Sequence, residues 1–262
     1  MKPEVIEDRQ KIYRYFSKNT GLFIYSIGDL DDFFWPDCCF YCIKDDNEIK
    51  AIALLYTGLS LPCFLAFYND LTEKEYLEKL VLKLSGNLPG QFSTHLSLGI
   101  STYLTGFNQI ILQGRFYKMW LRSDNNVNKF SVEKVVKLGP EDINDIKQLY
   151  VESYPENWFD RKMLETGQYY GIRQQNKLVS IAGVHVYSPD YGVAALGNIT
   201  THPLWRGQGW GTAVTARLCR SLLQSVKVIG LNVKSDNLAA VSCYEKLGFE
   251  IIAEFDEFVV KR

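Results

Sequence analysis

The residues best suited to chemistry lie in a glycine-rich turn, residues 201–212, with the sequence Thr-His-Pro-Leu-Trp-Arg-Gly-Gln-Gly-Trp-Gly-Thr. Gly207, Gly209 and Gly211 leave one side of this turn without Cβ atoms, so a ligand can approach the backbone closely. A predicted strand precedes the turn, and a predicted long helix follows it. The first N–H groups of a helix lack intrahelical partners and lie at the positive end of its dipole. The turn is therefore predicted to bind a phosphate group.

Two common phosphate-binding patterns fit this turn poorly. The Walker pattern requires Gly-Lys-Ser/Thr, which does not follow here. The dinucleotide pattern G-x-G-x-x-G has its first two glycines in Gly207 and Gly209, but Thr212 stands at the third position. Asp236, at the end of the next predicted strand, is a plausible ribose ligand and keeps this alternative open. A glycine-rich helix start that binds no ligand is a further alternative.

A third pattern, R-x-x-G-x-G, is met by Arg206, Gly209 and Gly211. It resembles the acetyl-CoA pyrophosphate loop of the GCN5-related N-acetyltransferases (GNATs). The downstream segment 232–249 resembles the second signature of the same family, a strand followed by N-x-x-A-x-x-x-Y-x-x-x-G-F. The two motifs stand in the family's order, and the resemblance covers about residues 130–260.

The resemblance implies a set of site residues. The implied contacts with acetyl-CoA are Ile199, Thr200, Thr201, Arg206, Gly207, Gln208, Gly209, Trp210, Gly211, Thr212, Asn237 and Tyr244. The family's tyrosine matches Tyr244, which implies the catalytic acid toward the CoA sulfur; the alternative is a core aromatic residue. Asn237 suits a helix cap, a role that needs no cofactor contact. A backbone N–H in the strand 199–201 would polarise the thioester carbonyl.

The general base is the least determined part of the predicted site. Many relatives carry Glu where Asn232 stands, and an amide cannot accept the proton. His185 on a predicted strand is one candidate, since histidine exchanges protons near neutral pH, although packing alone also explains it. His202 favours a structural role, and Glu152 and Glu156 favour solvated positions. A water chain without a dedicated base is equally allowed.

The resemblance implies an acetyl-CoA-dependent N-acetyltransferase that acts by direct transfer within a ternary complex. The acceptor would be a primary amine of a small molecule or a peptide, and Trp158 and Phe159 hint at an apolar or aromatic one. Because Asn232 replaces the usual acid, a catalytically inactive CoA-binding regulatory or interaction protein is the alternative. The acceptor, the acyl-chain preference and the oligomeric state stay open at this point.

The elements that position this chemistry alternate regularly in the second half of the chain. The pattern predicts the order β-α-α-β-β-β-α-β-α-β, which the resemblance makes a mixed, mostly antiparallel sheet flanked by helices. The predicted elements are strands 130–138, 169–173, 178–187, 191–201, 227–234 and 249–260, and helices 143–150, 158–166, 208–224 and 237–247.

The first half is also predicted to be α/β. The patterns indicate helices at 12–16 and 73–84, a hairpin of 38–44 with 49–56, and a long strand at 109–121. This half is either a degenerate GNAT-like copy of the second or an unrelated domain, since no residue-level repeat decides between them. The polar stretch 122–129 is predicted to be a linker without a buried face, which divides the chain into domains 1–124 and 125–262.

Composition excludes several classes of protein. The 262 residues are 47% hydrophobic and 14% aromatic, which excludes a disordered chain. Twenty-nine basic and thirty acidic residues give a net charge of -1, which predicts neither nucleic-acid nor membrane binding. With no secretory signal visible, we expect a cytoplasmic protein with six reduced cysteines. Cys39 and Cys42 form a lone C-x-x-C in a predicted strand, which predicts no metal site.

Overall fold

The structure, a computed structural model, describes residues 2–262. The chain divides into two compact units. Unit 1 runs to Lys118 and includes Lys234–Asp236 and Ile252–Arg262; unit 2 comprises Met119–Val233 and Asn237–Ile251. The last strand of the chain thus contributes to both units, while the predicted division at residue 124 stays a prediction. No helix in residues 2–262 is long and apolar enough to cross a membrane.

Unit 1 is built on a mostly antiparallel sheet. Its elements are β1 (Glu4–Val5), α1 (Arg9–Phe16), α2 (Ile24–Gly28), β2 (Cys38–Asp45), β3 (Glu48–Tyr56), β4 (Cys63–Ala66), α3 (Lys74–Leu84), β5 (Gln91–Ser97) and β6 (Gln109–Leu121), whose last three residues belong to unit 2. Helix α3 buries Leu77, Leu80 and Leu84 against Phe64 and Phe92 of the sheet. These side chains recur at helical spacing, which is why the sequence forms a helix there.

Unit 2 carries the elements predicted to hold the site. They are β7 (Val135–Lys137), α4 (Ile143–Ser153), β8 (Tyr170–Gln174), β9 (Lys177–Ser188), β10 (Val193–Thr201), α5 (Trp210–Leu222), β11 (Val228–Lys234), α6 (Leu238–Leu247) and β12 (Phe249–Lys261). The strand order from β11 is β11-β10-β9-β8-β7. Only β10 and β11 pair in parallel in this set, joined by α5, whose Val214, Leu218 and Leu222 are fully buried.

The two units repeat one topology. In each, an antiparallel hairpin is followed by a third antiparallel strand, a helix and a parallel fourth strand: β2-β3-β4-α3-β5 and β8-β9-β10-α5-β11. Both hairpins turn through two residues at positive φ, Asp46-Asn47 and Gln175-Asn176. The segment between β4 and α3, residues 67–73, contains no glycine, so unit 1 has no counterpart of the glycine turn of unit 2.

Several local predictions were wrong in extent or character. The strand predicted at 130–138 is only Val135–Lys137, and the Phe130 carbonyl accepts a hydrogen bond from the Arg220 guanidinium instead of a strand partner. The predicted polar linker does have a buried residue, Val127, which is 0% exposed. The helix predicted at 158–166 is a short 3-10 helix, Arg161–Thr166. Strand β4, of four residues, and helix α2, of five residues, were missed because each is short. Strand β5 was also missed.

Candidate active site

The glycine turn leads directly from β10 into α5, as predicted. Gly207 and Gly209 have φ of +76° and +80°, and Gly209 is the N-cap of α5. A Cβ atom at either position would meet no heavy atom within 4 Å, so their backbone angles, and not a lack of room, favour glycine. Gly211 differs, since its Cβ would lie 3.3 Å from Thr201 Oγ1 and crowd the end of β10. The helix start is therefore open on the side where an anion would bind.

Arg206 is tethered to the strand that precedes the turn. Its Nε donates to the Thr201 carbonyl at 3.1 Å, and the residue is exposed. Among residues 2–262, no carboxylate forms an ion pair with this guanidinium. Arg206 thus places an unneutralised positive charge beside the N-terminus of α5, where a phosphate would benefit from both.

His202 and Glu152 stabilise the start of the turn. His202 Nδ1 accepts a hydrogen bond from the Leu204 N–H at 3.2 Å, and its Nε2 lies 3.2 Å from Glu152 Oε2. With Nδ1 acting as acceptor, Nε2 carries the proton and faces the carboxylate. Both ring nitrogens are occupied, which agrees with the structural role predicted for His202.

Strand β10 is irregular where the cofactor strand was predicted. Gly197 pairs with Gly183, but the next pair is Thr200 with Ile181, so β10 holds one extra residue between these pairs. Asn198 adopts a left-handed φ of +55° there, and its side chain is 3% exposed. Such β-bulges re-aim backbone groups out of the regular ladder. The bulge was not predicted, and it comprises Asn198 and Ile199.

Buried tyrosine hydroxyls hold the bulge in place. Tyr150 Oη on α4 donates to the Asn198 carbonyl at 2.9 Å, and Asn198 Nδ2 donates to Tyr169 Oη at 3.1 Å. Burial raises the pKa of Tyr150 well above its usual value, so its hydroxyl stays protonated and can donate. Tyr150 and Tyr169 were not predicted as site residues, because they lie 48 and 29 positions from Asn198.

His185 covers the strand next to the bulge. A Cβ atom at Gly197 would collide with the imidazole ring, so glycine is required for this close approach. The Trp158 ring lies 5.6 Å from the imidazole, and Trp158 is 40% exposed. The structure therefore brings His185 and Trp158, both predicted candidates, into contact. A glycine inside a strand signals such an approach and could have identified the position.

Helix α6 begins and ends as predicted. Asn237 Oδ1 accepts from the Ala240 N–H at 3.2 Å, and Gly248 at φ +98° terminates the helix, so the capping role of Asn237 is confirmed. Tyr244 is 8% exposed, with its ring 6.0 Å from Phe249. Its neighbour Cys243 lies 3.2 Å from Thr212 Oγ1 of α5. The roles of Tyr244 as acid and of Asn237 as cofactor contact stay predictions.

Asn232 lies on β11, at the position where the resemblance implies a glutamate. Its Oδ1 is buried and, among the described residues, accepts no hydrogen bond. Asn232 lies on the strand that carries the second motif, and its amide has no carboxylate with which to accept a proton.

A cavity of about 290 Å³ borders the other side of the helix start. Phe130, Ile172 and Trp210 supply much of its wall. Lys134 Nζ lies 5.2 Å above the Trp210 ring, which lends a positive charge to this side of the turn.

The possible metal ligands and the cysteines of residues 2–262 do not form a metal site or a disulfide. No group of three or more His, Cys, Asp or Glu residues could hold a metal ion there. All six cysteines are free, and Cys39 and Cys42 lie on β2, as the sequence predicted.

Comparison with known proteins agrees with this geometry. The model of the acetyltransferase (GNAT) family matches residues 141–249. A solved GNAT-family protein from Novosphingobium aromaticivorans shares 18% identity and a TM-score of 0.60, covering 84% of this chain and 91% of its own. A tandem GNAT protein from the clavulanic acid biosynthesis pathway shares 12% identity and a TM-score of 0.54, covering 98% of each chain.

A Drosophila protein of known structure is similar over nearly the whole length, with 11% identity, a TM-score of 0.72, and coverage of 99% of this chain and 98% of its own. At these identities the likeness concerns the fold. No curated protein matches the chain. The glycine turn and the capped α6 both fall within the matched residues, and residues 141–249 of this chain form a domain of the acetyltransferase (GNAT) family.

Proposed function

We propose that the protein is an acetyl-CoA-dependent N-acetyltransferase that transfers the acetyl group directly to a primary amine. The observation that supports this proposal most strongly is the open start of α5 at Gly209. The Arg206 guanidinium lies beside it and donates a hydrogen bond to the Thr201 carbonyl. A pyrophosphate is the anion that suits adjacent helix N–H groups and a guanidinium. In this proposal the whole loop, Arg206 to Thr212, binds the CoA pyrophosphate.

The bulge in β10 supports a role in activating the thioester. Backbone groups at Asn198 and Ile199 leave the regular ladder, while Thr200 and Thr201 resume it. A backbone N–H aimed at the thioester carbonyl would stabilise negative charge as the tetrahedral intermediate forms. We assign this role to the segment Ile199–Thr201, since the Tyr150 hydroxyl holds it in one conformation.

Tyr244 and His185 are the proposed proton carriers. The amine nitrogen attacks the carbonyl carbon, the C–S bond breaks, and the thiolate takes a proton from the Tyr244 hydroxyl. His185 would remove the proton from the attacking amine, directly or through water. Its packing between Gly197 and Trp158 fixes the ring at the bulge, which favours this histidine over His202. The exposed Trp158 would border an apolar or aromatic acceptor.

The first experiment separates binding from catalysis. Isothermal titration calorimetry should show micromolar binding of acetyl-CoA and none of NAD. A thiol-release assay over amines, amino acids and peptides should then show acceptor-dependent CoA release. Binding of acetyl-CoA without release for any acceptor would favour the alternative of an inactive CoA-binding protein, which the amide at Asn232 motivates. Binding of NAD instead would contradict the proposal.

A further inference from the structure

The first five residues of β6 are exposed although they are mostly apolar. This segment, Gln109–Gln113, reads Gln-Ile-Ile-Leu-Gln, and all five residues are exposed. Ile110, Ile111 and Leu112 expose 37%, 45% and 57% of their surfaces. Consecutive strand residues point to opposite faces, so Ile110 and Leu112 lie on one face and Ile111 lies between Gln109 and Gln113 on the other. Three adjacent exposed aliphatic residues are unusual on a monomer surface.

One edge of the segment is also open. On one side, Asn108 N–H donates to the Lys261 carbonyl of β12 at 3.0 Å. On the other side, β11 ends beside residue 115, where Ser235 N–H donates to the Arg115 carbonyl at 2.9 Å. Lys234, the last residue of β11, lies beside Gly114 and Phe116 of β6. All of residues 109–113 are exposed, whereas Lys118, Met119 and Leu121 are buried, so β11 lies along the later part of β6.

Beyond Lys234 the chain leaves β11 and enters α6 at Leu238. The two neighbours of β6 in the sheet are β12 and β11, so among residues 2–262 the strand that lies beside Gln109–Gln113 is β12. Edge strands are normally protected by lysine, proline or an inward-pointing charge, because an exposed edge can pair with another chain. Gln109–Gln113 carries none of these residues. Within the segment, the Gln113 Nε2 donates a hydrogen bond of 3.1 Å to the Ile111 carbonyl.

The sequence of the segment identifies the occupant that fits the edge. Gln-Ile-Ile-Leu-Gln is nearly palindromic, so an antiparallel copy places glutamine beside glutamine and aliphatic beside aliphatic residues. We propose that a second copy of this chain pairs with Gln109–Gln113 in antiparallel register, with Ile111 on the twofold axis. Gln109 then lies opposite Gln113 of the second copy, and Ile110 lies opposite Leu112 of the second copy.

The chemistry of the segment favours self-association over other partners. A twofold interface is formed by the same patch on both copies, which a palindromic strand satisfies by itself. The segment itself carries no charge to repel its copy, and the first charged residue that follows it in the chain, Arg115, is paired with Asp256 at 3.0 Å. Five residues from each copy bury less than the about 1,200–2,000 Å² of a standard interface, so the dimer is weak, with a dissociation constant in the micromolar range.

Sedimentation velocity over a range of protein concentrations tests the dimer. We expect reversible dimerisation of the full chain, and Ile111→Lys should abolish it because two ammonium groups would meet at the axis. Leu71→Lys is the matched control, since Leu71 is 76% exposed elsewhere in unit 1. A wild-type chain that stays monomeric to about 200 micromolar, well above the range expected for so small an interface, overturns the proposal. So does a dimer that survives Ile111→Lys.

Disulfide trapping tests the register of the proposed strand pair without introducing the charge of the Ile111→Lys variant. Ile111→Cys should cross-link to its own copy when diamide is added as oxidant, because residues paired across antiparallel strands have Cβ atoms about 4.5–5.5 Å apart. Gln109→Cys and Gln113→Cys should cross-link when mixed but not when oxidised separately. Wild-type protein oxidised in parallel controls for the six native cysteines, all buried or half-buried. Equal cross-linking of Gln109→Cys with itself, or none at Ile111→Cys, overturns the proposed pairing.

Discussion

The hydroxyl of Tyr150 on α4 donates a 2.9 Å hydrogen bond to the carbonyl of Asn198, the left-handed residue of the β10 bulge. The two residues are 48 positions apart in the chain. The contact joins the first helix of unit 2 to the strand proposed to bind acetyl-CoA. It explains how an irregular strand can keep one conformation, since the displaced carbonyl is satisfied by a buried donor.

Replacement of Tyr150 by Phe tests this contact. The Asn198 carbonyl would lose its buried donor, which should lower the free energy of unfolding by about 1–3 kcal/mol. Relaxation of the bulge should also reduce kcat, as measured by thiol release. Tyr15→Phe is the matched control, because it removes the hydrogen bond of a buried tyrosine in unit 1, to Glu73 Oε2 at 2.7 Å. Equal losses of kcat in the two variants would show that the hydrogen bond at the bulge does not contribute specifically to turnover.

Substitution of Gly209 by Glu tests the anion site. The new carboxylate would enter the open space at the start of α5 and repel a phosphate, so acetyl-CoA affinity should fall by at least about 100-fold in calorimetry. Gly192→Glu is the control, because Gly192 also has positive φ, +66°, and lies in the turn before β10. The acetyl-CoA affinity of the Gly192→Glu variant should stay near that of the wild type. Retained binding in Gly209→Glu would refute the loop assignment.

The Tyr244→Phe variant tests the proposed acid. The ring contact with Phe249 is preserved while the hydroxyl is lost, so acetyl-CoA affinity should change little. Loss of a general acid typically lowers turnover by about 100-fold or more. Steady-state kinetics and calorimetry on the same preparation separate the two effects. Unchanged kcat would leave Tyr244 as a packing residue, the alternative interpretation of its buried position.

A buried carboxyl group in α2's C-cap predicts a pH-dependent stability. Asp29 is 8% exposed, and burial raises its pKa to about 8. Because the folded-state pKa is above the unfolded one, ionisation favours unfolding, and stability falls as pH rises from about 4 to about 8. Asp29→Asn should therefore raise the unfolding midpoint most at pH 8 and least near pH 4. The exposed control Asp190→Asn should show no such trend, and a flat difference for Asp29→Asn would contradict the prediction.

A buried lysine in unit 1, Lys118, predicts that stability increases with pH. Lys118 is 3% exposed, its ammonium lies 4.2 Å from the Phe67 ring centroid, and burial lowers its pKa to about 7. The unfolded chain binds the proton more tightly, so stability rises as pH increases from about 7 to about 10. Lys118→Met should stabilise the protein at pH 7, with the gain vanishing near pH 10.5. Denaturant unfolding at both values checks this, with the exposed Lys177→Met as control.

The local features of the site were predictable because short segments determine them. Gly207 and Gly209 adopt the positive φ angles that glycine favours, and Asn237 and Gly248 cap α6 at both ends. Each of these features depends on a few neighbouring residues and on the strand or helix that they begin or end. The same holds for β6, whose predicted bounds, Gln109–Leu121, agree with the structure.

The features that depend on pairing between distant segments were not predictable. The bulge at Asn198 exists only because β10 pairs with β9, and Tyr150 and Tyr169 reach it from elements far away in the chain. His185 meets Gly197 for the same reason. The sequence alone determined where the glycine-rich helix start lies and which family its motifs resemble, since those motifs are local. Only the tertiary structure decided which side chains surround the bulge and which strand edge stays open, because both result from long-range packing.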